Sequence, residues 1–293
     1  MQTTDNKSLA DRGAWVSILA YLLLSFLKIT SGYMLDSKAL VADGWNNTTD
    51  IMASVAVLIG LKISRKPPDD NHPYGHSRAE TIASLAASFI MVSIGVQVLF
   101  SAVKSIFAED KVQPDPIAAA VAVIGAIVMI GVYLYNRSLA LKTKSQALMA
   151  AAKDNLSDAL VSVGAFVGII GAQFRMVWLD PLAAFVVGVV ICKTAWDIFS
   201  ESSHMLTDGF EQEKLLEYEE TIKQVKGVKK ITDVKARMLG NEVIVDVVIE
   251  VDPTLSIVES HYITDCIEEK LLQVHSIKTT HIHMEPLAKT DKV

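Results

Sequence analysis

The chain has 293 residues, 51% of them hydrophobic, and its mean hydropathy is +0.35. A formal net charge of -6 argues against a nucleic-acid binder, and two cysteines, Cys192 in an apolar run and Cys266 in a polar tail, argue against a disulfide framework. Several apolar runs exceed the ~18–20 residues that a helix needs to cross a bilayer, so the fold class is a polytopic α-helical membrane protein.

The first thirteen residues, MQTTDNKSLADRG, are polar and read as a short cytoplasmic stub, 1–13. They lead into a span too long for the apolar region of a cleaved signal peptide. Six transmembrane spans are predicted, at 14–35, 39–63, 79–104, 115–136, 147–172 and 178–199, joined by short connections. A shift to charged, alternating sequence near Ser200–Asp208 separates a membrane domain, 14–204, from a C-terminal domain, 205–293. Basic residues set the orientation. Arg65, Lys66, Arg78, Arg137, Lys142 and Lys144 share one side with Lys7, Arg12 and the tail, whereas the other side holds Lys38, Lys111 and Arg175. Both termini are therefore expected in the cytoplasm.

Span two contains VADGWNNTTDIMAS, residues 41–54, which places Asp43, Asn46, Asn47, Thr48, Thr49 and Asp50 where apolar side chains belong. Span five contains AAKDNLSDAL, residues 151–160, with Asp154 and Asp158. A charge at mid-membrane depth costs at least ~2.5–3.5 kcal/mol on insertion scales, and such groups face the protein interior. Asn46 and Asp50 are four residues apart, as are Asp154 and Asp158, so each pair projects from one helix face. Spans two and five run in opposite directions, and the two pairs can meet near mid-depth as a four-donor cage of oxygens. Such a cage suits a hard divalent cation such as Mn²⁺ and lacks the imidazoles that favour Zn²⁺. Three crowded carboxylates repel one another, so a metal-free cage is expected to hold protons that an arriving metal expels. Asn47, Thr48, Thr49 and Asn155 read as helix-packing groups. Asp43 reads as an acid of the first turn, favoured by the helix dipole, or as a step on an outer exit path.

The loop after span two, RKPPDDNHPYGHSRAE at 65–80, gathers Asp69, His72 and His76, which could converge on a metal; the histidines could instead pair with Asp70 or Glu80. Pro73 stiffens the approach and Gly75 permits a tight turn. The tail reads α-β-β-α-β, with helices at 211–225 and 256–274 and strands near 228–238, 242–251 and 277–286. Strand 242–251 puts Val243, Val245, Val247, Ile249 and Val251 on one face, and Gly240-Asn241 suits the turn before it. On the last strand His281, His283 and Glu285 share a face, with His261 on the preceding helix. His204 and His275 carry no partner pattern. An intramembrane metalloenzyme is disfavoured because no HExxH occurs. A channel is disfavoured because both donor pairs belong to two antiparallel helices of one chain rather than to a ring.

With six spans, polar pairs on spans two and five, the HxxxGH-type loop and the small α+β tail, the chain resembles the cation diffusion facilitator family over nearly its whole length. The resemblance implies a non-enzymatic transporter without cofactor. It would be a homodimer in the plasma membrane that exchanges a cytoplasmic divalent cation for outside protons by alternating access. The tail would then be a cytoplasmic, ferredoxin- or metallochaperone-like domain. In that family zinc exporters carry aspartate or histidine at the position of Asn46 and histidine at that of Asp154. The set found here, Asn46, Asp50, Asp154 and Asp158, is similar to the manganese-exporting branch, with Zn²⁺, Fe²⁺ or Co²⁺ as alternative cargo. The resemblance also implies a loop metal site at Asp69, His72 and His76. A tail site is implied at His261, His283 and Glu285, where two further histidine positions of the zinc exporters read Thr232 and Val248. Finally, it implies an ion pair between Arg78 and Asp208 at the junction of the two domains.

Overall fold

The structure is a computed structural model and describes residues 2–34, 38–106, 115–174, 176, 178–240 and 242–287. Lys111, Arg175 and Asn241 lie outside the described residues, as do the side chains of Lys7, Lys38 and Thr49. The chain forms two compact units, Met1–Ser203 and His204–Val293.

The first unit is a bundle of long helices: α1 (Gln2–Met34), α2 (Lys38–Ile63), α3 (Ala79–Ile106), α4 (Pro116–Thr143), α5 (Gln146–Gln173) and α6 (Leu179–Leu206), the last of which runs three residues into the second unit. Helix α1 begins earlier than predicted. The polar stub 1–13 is not a separate segment, because from Gln2 onward it is the first turns of the helix. Among the described residues, five helices, α1 and α3 to α6, are long and apolar enough to cross a membrane. Helix α2 has 26 residues, enough for ~39 Å, but its polar cluster dilutes its apolarity. Asp115 caps α4 by accepting from the Ile117 N–H at 2.8 Å, and Pro116 fills the first position, where no N–H is needed.

Helix α1 packs on α2 and α4, α4 on α5, and both α2 and α5 on α3. Small residues allow the closest approaches. A Cβ at Gly60 would lie 2.2 Å from that of Ala83, and one at Gly95 would lie 2.7 Å from Cys192 Sγ, so α3 meets α2 and α6 through glycines. Alanines 83, 87, 147, 150, 151 and 195 line the shared core with Met91, Leu148 and Ile191. In such helix pairs close van der Waals contact supplies the association that water would drive in a soluble core.

The second unit comprises α7 (Gln212–Lys223), β1 (Lys230–Leu239), β2 (Glu242–Val251), α8 (Ile257–His275) and β3 (Thr279–Pro286). Strand β2 is central, antiparallel to β1 and parallel to β3, which α8 connects. Val245, Val247, Ile249 and Val251 of β2 pack with Ile222 of α7 and Ile263, Ile267 and Leu271 of α8. Ser256 and Glu259 cap α8 reciprocally, the Ser256 N–H donating to Glu259 Oε2 at 2.8 Å and the Glu259 N–H donating to Ser256 Oγ at 3.3 Å.

Candidate functional site

Asp50, Asp154 and Asp158 are buried together, and one carboxylate oxygen from each lies within 4.8 Å of the others. Helix α2 supplies the first and α5 the other two. Asp50 Oδ2 accepts from the amides of Asn46 at 3.3 Å and Asn47 at 3.4 Å. Asn46 is half-buried and Asn47 fully buried. Asp50 Oδ1 and Asn47 Oδ1 are buried and accept no hydrogen bond among the described residues. Three buried carboxylates, one of them with an unsatisfied oxygen, make a set of hard oxygen donors that a divalent cation would complete.

A fourth group stands over these carboxylates. The Tyr21 hydroxyl on α1, fully buried, reaches Asp154 Oδ2 at 3.2 Å and makes a shorter contact to Asp158 Oδ2. Its own oxygen accepts from the Asn155 amide at 2.9 Å, which turns the hydroxyl proton toward the carboxylates. Asn155 is in turn held by Ser17 at 3.1 Å and by the Asn136 amide at 2.9 Å, both donating to its Oδ1. Helices α1, α4 and α5 are thus locked around the acidic trio by an all-neutral network. The sequence reading gave Asn155 a packing role and did not single out Tyr21, Ser17 or Asn136. One signal was available: Ser17, Tyr21, Ser25 and Lys28 recur every three or four residues in the first span, so they share one polar face.

Asp43 is placed differently from the first-turn expectation. Helix α2 begins at Lys38 with no acid in its first turn, and Asp43 is buried in a 2.7 Å ion pair with Lys28 of α1. Thr48 bridges the same two helices through Ser25 Oγ at 2.6 Å.

In the loop 64–78, Asp69 joins both histidines. Asp69 Oδ1 lies 3.0 Å from His72 Nδ1 and Asp69 Oδ2 3.4 Å from His76 Nε2, and one ligand atom from each residue falls within 4.8 Å of the others. The His72 side chain, hydrogen-bonded to Asp69, holds that carboxyl below the usual aspartate range, so it stays anionic to lower pH. A turn closed by reciprocal Asp69 and His72 backbone bonds, with Gly75 at φ 78°, sets this geometry. Asp70 is not the partner, and Glu80 is engaged by Ser145 at 2.5 Å.

The tail residues do not come together in one chain. Among the described residues, no three ligand atoms from His261, His283, Glu285 and their neighbours lie within 4.8 Å of one another. His261 Nδ1 lies 3.0 Å from Thr264 Oγ1 and 3.4 Å from Asp265, while His283 Nε2 is 3.8 Å from Glu285. The reason is their location: His261 sits on exposed α8, His283 and Glu285 on the solvent side of edge strand β3. Strand β2 pairs Val248 with His283, and Thr232 sits at a β1 bulge, its hydroxyl on Glu250.

A helical bundle with an acidic, metal-compatible cage between two of its helices, followed by a small α+β unit, defines a multi-pass protein built to handle cations. Residues 14–207 match the cation efflux transmembrane domain and residues 210–287 the cytoplasmic domain of cation efflux proteins, so the chain belongs to the cation diffusion facilitator family of transporters. It is 58% identical to the manganese efflux system protein MneS of Bacillus subtilis, with 98% of this chain and 99% of that one covered. It is 49% identical to the uncharacterised transporter YdbO of the same organism, over 98% and 99% of the two chains. A third relative, the magnetosome protein MamM of Magnetospirillum gryphiswaldense, is 28% identical over 92% of this chain and 86% of its own length.

Proposed function

We propose that this protein exports divalent manganese from the cytoplasm in exchange for protons. It acts as a homodimer in the plasma membrane, with both termini cytoplasmic, by alternating access to the cage of Asn46, Asp50, Asp154 and Asp158. The observation that carries the reading is the convergence of three buried carboxylates with no imidazole among them. Oxygen donors without nitrogen or sulfur favour Mn²⁺ over softer ions relative to a histidine-containing cage. The neutral Asn46 completes the donor set without a fourth negative charge, and rotation of its amide turns Oδ1 toward the cargo. The whole-length likeness to a relative named for manganese efflux supports the same cargo.

Proton exchange follows from charge. Three carboxylates in a low-dielectric interior cannot stand bare between cargo ions, and protons replace the departing metal at little change in buried charge. Asp69, His72 and His76 are proposed as an accessory metal site, and Arg78 with Asp208 as the ion pair between the units. His261, His283 and Glu285 are proposed as ligands of a tail site drawn from two copies of the chain.

Metal uptake by proteoliposomes under a proton gradient, with Mn²⁺ and Zn²⁺ compared in one preparation, tests this reading. Mn²⁺ flux opposed by proton movement is expected, and Asp50→Ala or Asp154→Ala should abolish it. Zn²⁺ flux without Mn²⁺ flux overturns the ion assignment, and Mn²⁺ flux that survives both substitutions overturns the site.

A further inference from the structure

The cage has a second storey. Lys28 of α1 is 0% exposed, its Nζ 2.7 Å from Asp43 Oδ2 and donating to Ser162 Oγ of α5 at 3.2 Å. Each member of this layer shares a helix face with a member of the cage. Lys28 follows Tyr21 by seven residues, Asp43 precedes Asp50 by seven, and Ser162 follows Asp158 by four. Offsets of four and seven return a side chain to the same face one or two turns along. Helices α1 and α5 run opposite to α2 through this pair of layers, so all three offsets point toward the end of the bundle remote from loop 64–78.

The layer is fitted around the lysine. Gly125 of α4 leaves the space, since a Cβ there would lie 3.0 Å from Lys28 Cε and 3.4 Å from Ser162 Oγ. Gly44 brings the α1 and α2 main chains together beside the pair, where a Cβ would meet the Ile29 backbone nitrogen at 2.9 Å. One flank of this level is therefore closed by backbone and the other by the ion pair. Such a pair is costly to bury in a membrane, and replacing a buried pair by apolar groups is often neutral or stabilising, so packing alone is a poor reason for it.

Chemistry gives a better one. Asp43 is the first carboxylate that a divalent cation meets after leaving Asp50 along the face of α2. A carboxylate already neutralised by an ammonium cannot attract that cation, and the ammonium repels it. We propose that Lys28 is a tethered cation that closes the outward path by occupying Asp43, and that the exported ion leaves the cage by taking the place of Lys28 on Asp43. Asp43 and Lys28 are thus positioning residues of the exit step, Ser162 being the ammonium's second resting partner. The inference rests on the reading of the chain as a divalent-cation exporter.

The full-length protein in inside-out membrane vesicles tests it, with radioactive Mn²⁺ followed in both directions and rates normalised to the amount of protein in the membrane. In Lys28→Gln the outer side opens, and Mn²⁺ preloaded in the lumen should escape about ten-fold faster than from vesicles holding the native chain, without a proton gradient. In Asp43→Asn the ammonium stays unpaired across the path. Uptake should then fall about ten-fold with no added escape. Gly125→Ala displaces the lysine stem and leaves both charges, and should raise escape in the same direction as Lys28→Gln. A merely structural pair would lower the amount of folded protein and leave escape per molecule unchanged. Unchanged escape in Lys28→Gln, or in Gly125→Ala where Lys28→Gln does not accumulate, overturns the proposal, as does native uptake by Asp43→Asn. If the native chain takes up neither Mn²⁺ nor another divalent ion, the transport reading falls and takes this proposal with it.

Discussion

Tyr21 gives the acidic cage a neutral donor from outside α2 and α5. Its hydroxyl carries a single proton, so it can serve Asp154 or Asp158 but not both at once, while the Asn155 amide fixes the direction in which that proton points. A hydrogen bond to a charged group contributes about 1.5–3 kcal/mol, and loss of this one should loosen the geometry of both carboxylates. Tyr21→Phe is therefore expected to weaken Mn²⁺ binding to the purified protein about ten-fold by calorimetry, while the fold is retained. Undiminished affinity would mean that the hydroxyl is a spectator. Asn46 makes the contrasting case. Its candidacy came from spacing and donor charge alone, which need no coordinates, and in the structure its amide donates to Asp50. Tyr21 was not legible, because an aromatic residue in an apolar helix reads as packing until its hydroxyl is seen against two carboxylates.

At the scale of elements, the helices were readable from hydropathy, but α4 and α6 each run seven residues past their predicted ends at 136 and 199, to Thr143 and Leu206. Asp115-Pro116 at the start of α4 and Ser256 with Glu259 at the start of α8 are short-range signals that satisfy the free N–H groups of a first turn. The meeting of the second and fifth helices was implied by their polar residues, but the pairing of the other helices was not readable. It depends on which glycine meets which neighbour, and the tightest case is Gly60 of α2 against Ala83 of α3. Gly60→Ala is expected to lower the stability of the membrane unit by about 1–3 kcal/mol through overpacking, seen as a lower melting temperature in detergent. Ala83→Gly in the same chain should recover part of that loss. A Gly60→Ala protein that melts like the native one would show that the two helices slide apart freely. The extension of α1 to Gln2 was also hidden, since the stub is rich in Thr, Asp, Asn and Ser, weak helix formers with no apolar period to mark a helix.

At the scale of the whole molecule, the two units carry separate cores. The second is built from Ile222, Val245, Val247, Ile249, Ile263, Ile267 and Leu271, none of which belongs to the core of the helical bundle. Residues 204–293 expressed alone should therefore unfold in one cooperative transition, and Ile267→Ala, a fully buried change, should destabilise that transition by about 2–5 kcal/mol. In the full-length protein the same substitution should leave Mn²⁺ binding at the Asp50 cage unchanged. A parallel loss of binding would mean that the cage depends on the second unit for its shape.

The sequence by itself determined the membrane class, the composition shift between the units, the α-β-β-α-β order of the tail and the polar pairs on the second and fifth helices. Each of these rests on a period or a spacing within one segment, where covalent geometry fixes which side chains share a face. Only the tertiary structure decided what those faces meet. It brought Tyr21, Asn155, Ser17 and Asn136 onto the cage and set Lys28 against Asp43. It also left His261 apart from His283 and Glu285. Contacts between segments far apart in the chain arise from packing, and packing depends on shape and small residues that no single-segment pattern encodes. Asp43 shows the difference most directly. Its position in the sequence suggested a helix-end acid, and its neighbours in space make it half of a buried ion pair with Lys28.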